Sequence, residues 1–477
     1  MEPLDRLLAL RDERDPALRH FFVPGEPVFV ASAPGRLDVM GGIADYSGAL
    51  VLQLPLDRHT TAMLQLQDEP SLDVVSIRGG QPFYASIRLD AFLHSPACAP
   101  EKLAELFSPG TSGHWASYVF GVAHACLVRN APRVRDATRG FRMLIDSEVP
   151  EGKGVSSSAA LEVSSLAAIS AAYGAGLDAE AIAAAAQWAE NHVAGAPCGI
   201  MDQTTSACGR GDHLLRLRCQ PATIEGHVAI PHGYRFYGID SGIRHAVTGE
   251  DYGTVRTATF MGYRMIAAIA GFDVERDGDR VHVHDAEWRG YLANVPPAQF
   301  AERFEHHLPD RMLGADFLAQ FHGITDTATR VKPERWYPVR VATAHPVYEN
   351  ARVERFAELL GSLAQSPSNA AEMGWLMVAS HASYGACGLG SDGTDRLVHL
   401  VAEAGAERGL FGAKITGGGS GGTVAILGAD AAEVVVREIA ARYAEETGRR
   451  AEVFAGSGPG MAQRGVLQGS TNWPANE

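Results

Sequence analysis

The chain has 477 residues, 46% of them hydrophobic, enough for a sizeable core that is expected to divide into two domains. Asp and Glu number 56 against 41 Lys and Arg, a formal charge of -15 with no long basic run, which argues against nucleic acid or an anionic membrane as partner. The start lacks an apolar leader, no stretch is long enough to span a bilayer, and six scattered cysteines form neither a Cys-x-x-Cys pair nor a metal spacing, so a cytoplasmic enzyme with reduced thiols is expected.

The first informative stretch runs from Ala33 to Tyr46, Ala-Pro-Gly-Arg-Leu-Asp-Val-Met-Gly-Gly-Ile-Ala-Asp-Tyr. It lies between β-rich runs at 28–31 and 49–54 and reads as a loop holding Arg36 and Asp45 in apolar surroundings. Taken alone it would pass for a surface turn; loops held between strands are also where ligands bind. Next comes Pro150-Glu-Gly-Lys-Gly-Val-Ser-Ser-Ser-Ala-Ala-Leu161, two glycines and three serines ahead of an alanine-rich segment. Glycines admit an anion to the backbone, a helix start offers free amides and a favourable dipole, and serines add donors or a magnesium ligand. The spacing is not that of the Walker A loop. Helices are predicted over 156–173 and 179–193, the second capped by Asp178. Beyond them Cys198-Gly-Ile-Met-Asp-Gln203 sets Asp202 in an apolar turn, where a carboxylate must be paired or functional, and Arg36 is its natural partner. Glu190, near the end of the second helix, competes between a solvated position and a magnesium ligand.

The second block, from about 226 to 468 after a first block of 1–225, has a predicted strand at 234–239 and helices at 250–270, 347–364 and 370–382. Residues 272–340 show weak periodicity and are expected to form an irregular insert. A glycine run, Thr416 to Thr423, leads into a strand at 423–427, and its glycines make sense where another segment or a ligand comes close. The tail 469–477 is expected to be disordered.

Three motifs in this order resemble those of the GHMP small-molecule kinases, and more closely the galactokinase family, over residues 28–460. Ala33–Tyr46 is similar to the galactokinase signature, Pro150–Leu161 to the phosphate loop and Gly412–Thr423 to the third motif. Lesser matches are the segment from Trp115 to Gly121, Glu190 through Gln203, Tyr252 with Arg256, His345 with Glu349 and Arg352, and Gly374 through His381. The resemblance implies an α+β fold of two lobes with the active site in the cleft, and ATP with Mg2+. It implies that Asp202 takes or orients the anomeric hydroxyl proton, with Arg36 stabilising Asp202 and the transferring phosphoryl. Asp45, Tyr252 and Gly199 would line the sugar, and Ser158 with Glu190 would hold magnesium, with Ser157 as an alternative ligand. Gly152, Gly154, Ser156, Ser157, Ser158 and Ala159 would wrap the ATP phosphates, with Gly418 and Gly419 in the second loop and Trp115 near adenine.

One departure stands out. Galactokinases carry a glutamate and a histidine after the glycine matching Gly41, and these address the sugar C6 hydroxymethyl; here stand Gly42 and Ile43. A C6 hydroxyl would be left unpaired and crowded. L-Arabinopyranose has galactose's ring configuration without C6, so the expected reaction is phosphorylation of its anomeric hydroxyl. The signature also resembles the kinase part of plant L-arabinokinases, without room ahead of it for their additional N-terminal region, so a stand-alone kinase is expected. The alternatives are a galactokinase or a kinase of a 6-deoxyhexose or uronic acid, for which Arg58 could supply a cation, and a non-catalytic sugar and ATP sensor.

Overall fold

The computed structural model describes residues 5, 15–78, 80–89, 92, 100–107, 111, 113–244, 250–278 and 280–470. Most of the expected tail, 471–477, lies outside them, as does Cys98. Strands Pro27–Met40 (β1), Leu50–Gln67 (β2), Ser71–Arg78 (β3), Gln81–Arg88 (β4), Gly140–Ser147 (β5), His213–Arg218 (β6), Thr223–Ala229 (β7) and, from the far end of the chain, Val466–Ser470 make an eight-stranded sheet. Within this sheet, among the described residues, β3 and β5 are the one parallel pair. The strand β7 pairs with β6, so the break between the sheets falls after Ala229 rather than at 225. Gly469 and Ser470 are strand rather than tail, because Pro27–Ala31 pairs with Ser470–Val466.

Helices Ala116–His124 (α1), Ser157–Ala172 (α2) and Ala179–Ala189 (α3) cover one face of this sheet over a core of Leu64, Phe141, Met143, Val163 and Leu166. The alanines and serines of α2 leave little side chain between it and the sheet, and it packs on β1 and β2. After α3 the chain widens into a π turn, Glu190–Ala194, a local irregularity often found at functional sites. Helix Met201–Cys208 (α4) follows.

A second, antiparallel sheet combines Tyr234–Asp240 (β8), Leu410–Ile415 (β9), Thr423–Ala429 (β10) and Val453–Phe454 in the order β9, β10, β8, Val453–Phe454. Helices Glu250–Ala270 (α5), Val339–Gly361 (α6) and Asn369–Ala386 (α7) belong to this half. Leu37, Val39, Leu52, Phe356, Met373 and Leu427 form one core that joins it to the first sheet. The helix expected from 347 starts at Val339 and runs through Pro346. Proline removes the hydrogen bond to the carbonyl four residues back, and that carbonyl, Ala342 O, accepts instead from Thr259 Oγ1 of α5 at 2.9 Å. The segment 272–340 has its own aromatic core of Trp288, Phe300, Phe304 and Phe317, packed with α5 residues such as Met261. Among the described residues no helix is long and apolar enough to cross a membrane, and the described cysteines are free.

Candidate active site

Arg36 and Asp38 lie inside β1, not in the loop predicted from the turn residues. Two bulges, between Pro34 and Arg36 and between Asp38 and Met40, accommodate those residues within a strand. At the first bulge Arg36 N donates to Val155 O at 3.0 Å, and a Cβ on Gly35 would fall 2.6 Å from the same oxygen. This close approach ties the strand to the phosphate loop. The Arg36 guanidinium makes a fork on Asp202, Nε to Oδ1 at 2.8 Å and Nη2 to Oδ2 at 2.9 Å, while Nη1 donates to Gly154 O at 2.7 Å. Arg36 is buried, and the Asp202 side chain keeps 20% of its surface open.

Gly152 and Gly154 take φ values of +71° and +70°, and Ser156 takes +58°, so the loop turns through left-handed backbone before α2 begins. Ser157 and Ser158 stand half-buried at the helix start, with Ala159 buried behind them. The Ser156 hydroxyl donates to Asp202 Oδ2 at 2.5 Å. The left-handed turn sends this side chain back toward the carboxylate. The second glycine run presses on the first loop from behind. A Cβ on Gly422 would stand 2.9 Å from Lys153 O and one on Gly417 3.1 Å from Gly154 O, and Thr423 Oγ1 donates to Lys153 O at 2.8 Å. Gly418 is partly exposed, whereas Gly419 packs on Leu389. Trp115 is buried under the Arg78 guanidinium, 5.0 Å from its ring, and Arg78 pairs with Glu151 of the loop at 3.2 Å.

Asp45 sits in the 3-10 turn Gly42–Ser47 after β1, its Oδ1 accepting from Tyr46 N at 2.7 Å. Gly199 makes room for it, since a Cβ there would lie 1.7 Å from Asp45 Oδ2. Burial first, and then the negative charge of Asp202, push the Asp45 carboxyl from 3.8 up to about 7, with Arg256 acting the other way. Between about pH 4 and pH 7 the folded chain therefore holds a proton here that the unfolded chain has released, and stability falls as pH rises through that window. Asp45→Asn should melt at a higher temperature than the parent at pH 8 and at a similar one at pH 4, while losing activity; equal melting at pH 8 would count against a strained carboxylate.

The Gly42 position is closed to any side chain. Its φ is +44°, and a Cβ would fall 1.6 Å from Tyr384 Oη of α7. Tyr384 donates from Oη to Gly417 O at 3.0 Å and accepts from Ile43 N at 2.9 Å. Ile43 is 1% exposed, in one cluster with Tyr384, Leu389 and Ile415. Tyr252, half-buried near the start of α5, meets Tyr46 edge-on at 5.9 Å. Arg58 lies elsewhere, lining an outer groove with Arg437 and Arg450.

Glu190 opens the π turn and is buried. Loss of solvent first, then Asp202, push it up to about 7, and the Ser158 hydroxyl beside it works the other way. The Gln203 amide donates to Glu190 Oε2 at 2.5 Å and to Glu162 Oε2 at 3.1 Å, and Glu162 Oε1 has no hydrogen-bond partner. No group of three metal-ligating side chains stands ready among the described residues.

Sequence reasoning missed Glu162 and the Asp38–Lys414 pair, 2.7 Å apart and 0% exposed at both side chains. A lone lysine in the apolar run Gly412–Ile415 was a signal of the same kind that singled out Asp202. Tyr384 carried no such signal, since its hydroxyl matters only where two distant segments meet.

Two family models match the chain, "GHMP kinases N terminal domain" over residues 117–210 and "Galactokinase galactose-binding signature" over 19–66. An L-arabinokinase of Arabidopsis thaliana is 41% identical over 93% of this chain, which spans about half, 47%, of that relative's length. A galactokinase of Chloroflexus aggregans is 30% identical over 90% of this chain and 91% of its own. Among solved structures, Lactococcus lactis galactokinase complexed with galactose superposes with a TM-score of 0.69 at 21% identity, covering 95% of this chain and 99% of that one. The Methanococcus jannaschii mevalonate kinase gives 0.54 at 15% identity over 90% and 97%.

Proposed function

The chain belongs to the galactokinase family of GHMP kinases, phosphotransferases acting on a sugar hydroxyl, and from that premise we propose that it transfers the γ-phosphoryl of ATP to the anomeric hydroxyl of L-arabinose. The observation that carries the choice of sugar is the closed position at Gly42. Where the family's glutamate and histidine would face C6, Tyr384 Oη fills the side-chain space at 42 and Ile43 presents only hydrocarbon. A hydroxymethyl there would find neither room nor a partner, and a buried unpaired hydroxyl costs binding free energy. The Arabidopsis relative's name points the same way.

In this reading Asp202 Oδ1, which takes a single donor from Arg36, faces the anomeric hydroxyl and accepts its proton as that oxygen bonds to the γ-phosphorus and the bond to ADP breaks. Oδ2, held by Arg36 Nη2 and Ser156, fixes the carboxylate's orientation. Arg36 also anchors the phosphate loop at Gly154 O, so one cation sets both reactants in register. Asp45 accepts from ring hydroxyls that offset the cost of its burial. Ser158, Glu190 and the unpartnered Glu162 Oε1 are hard oxygen donors suited to Mg2+, and with so few of them the ion would depend on nucleotide phosphates for the rest of its shell. Bound there, Mg2+ would neutralise phosphate charge. Phosphorus and proton NMR of a reaction with ATP, Mg2+ and L-arabinose checks the reading: a phosphate ester at C1 is expected, and ester at any other carbon, or none, refutes it.

A further inference from the structure

The segment 272–340 has no part in the reaction described so far, yet one of its side chains reaches the sugar side of the site. Asp326 is 4% exposed and takes a two-pronged ion pair from Arg256 of α5, Nε to Oδ2 and Nη2 to Oδ1, both at 2.8 Å. Its remaining capacity is filled locally, by Thr329 Oγ1 at 2.6 Å and by the amides of Ala328 and Thr329 at 3.2 and 3.1 Å. Asp326 is therefore a rigid, fully bonded anchor. The third guanidinium nitrogen, Nη1, donates at 3.0 Å to Cys198 O, the first carbonyl of the turn that carries Gly199 against Asp45 and leads to Asp202. Tyr46 and Phe260 flank the same guanidinium at 5.4 and 6.0 Å.

Every nitrogen of Arg256 is thus committed, and none donates to Asp45, although Arg256 is near enough to act on it by charge. A buried arginine that loses its partner is left uncompensated, and Asp45 is a carboxylate that already feels the Arg256 charge. We propose that Asp326 is a positioning residue for the sugar: it holds Arg256 on the Cys198 carbonyl and away from Asp45, leaving the Asp45 carboxylate to sugar hydroxyls. The insert then supports the sugar site through this ion pair, beside the packing of Ala293 on Ala44 of the turn that carries Asp45. The inference rests on Asp45 and the turn at Gly199 lining that site.

Asp326→Asn frees the fork, and its effect separates the two substrates. KM for L-arabinose should rise about tenfold or more, with KM for ATP within about twofold. Calorimetric binding of L-arabinose without nucleotide should weaken by the same factor. Asp326→Glu, which keeps the charge, should recover part of the loss. Thr329→Val removes one donor and leaves both charges, so it keeps the question open to test if Asp326→Asn does not fold; it should raise the sugar Kd about threefold. Unchanged sugar affinity in the folded variants, or sugar and ATP constants moving together, overturns the inference while leaving the kinase reading intact. A parent chain that binds none of L-arabinose, D-galactose and D-fucose overturns that reading, and this one with it.

Discussion

Asp202→Asn is expected to lower kcat by about a thousandfold, within the 10²–10⁴ range for loss of a positioned general base, while KM for ATP stays within a few-fold. The amide keeps the size of the carboxylate but cannot accept the proton, and in either orientation it turns an NH2 group toward an Arg36 nitrogen, in one of them toward the Ser156 hydroxyl as well. Part of the loss therefore comes from Arg36, which is left buried with half its fork unmatched and no longer holds Gly154 O in the same place. A coupled assay for ADP release measures it. Activity within about tenfold of the parent would mean that substrate positioning alone carries the transfer, and Asp202 would lose its assigned role.

Lys414→Met should produce the largest loss of stability of any single change near the site. The ammonium and Asp38 are both 0% exposed and lie 2.7 Å apart, joining β9 of the second sheet to β1 of the first. Removing the cation leaves Asp38 Oδ2 with no donor, while Oδ1 keeps Gln53 Nε2 and Gly42 N. Breaking one side of a buried pair costs about 3–5 kcal/mol. Lys414 Nζ also lies 5.2 Å from the centre of the Tyr384 ring, so the closed position at Gly42 loses support from two directions. Denaturant titration followed by tryptophan fluorescence reads the change. A midpoint shift corresponding to less than about 1 kcal/mol would show that water reaches the pair and screens it, as it does for exposed bridges.

The sequence carried the chemistry further than the geometry. Arg36, Asp45, Asp202 and the serine loop stood out because charged or glycine-rich positions in apolar surroundings demand a partner, and the structure puts Arg36 on Asp202 and Gly199 against Asp45. Local pattern failed where long-range contacts override it. The Pro-Gly pair in β1 reads as a turn, and a bulge held by Val155 O makes it strand. The helix expected from 347 in fact begins at Val339, and a hydroxyl from α5 satisfies the carbonyl that Pro346 frees. Ser156 looked like its two neighbours, and only its left-handed backbone sends it to Asp202. Tyr384 and Asp326 were out of reach for the same reason: each acts on a residue more than 50 positions away, through an atom that periodicity says nothing about.

The closed position at Gly42 is the feature on which the choice of sugar turns, and a ratio of specificity constants tests it most directly. With ATP and Mg2+ fixed at saturation, kcat/KM for L-arabinose should exceed that for D-galactose by about 10–200-fold, the range for one extra methylene or hydroxyl against an apolar pocket. A chain that turns over D-galactose as well as or better than L-arabinose would contradict the account, whatever its absolute rate.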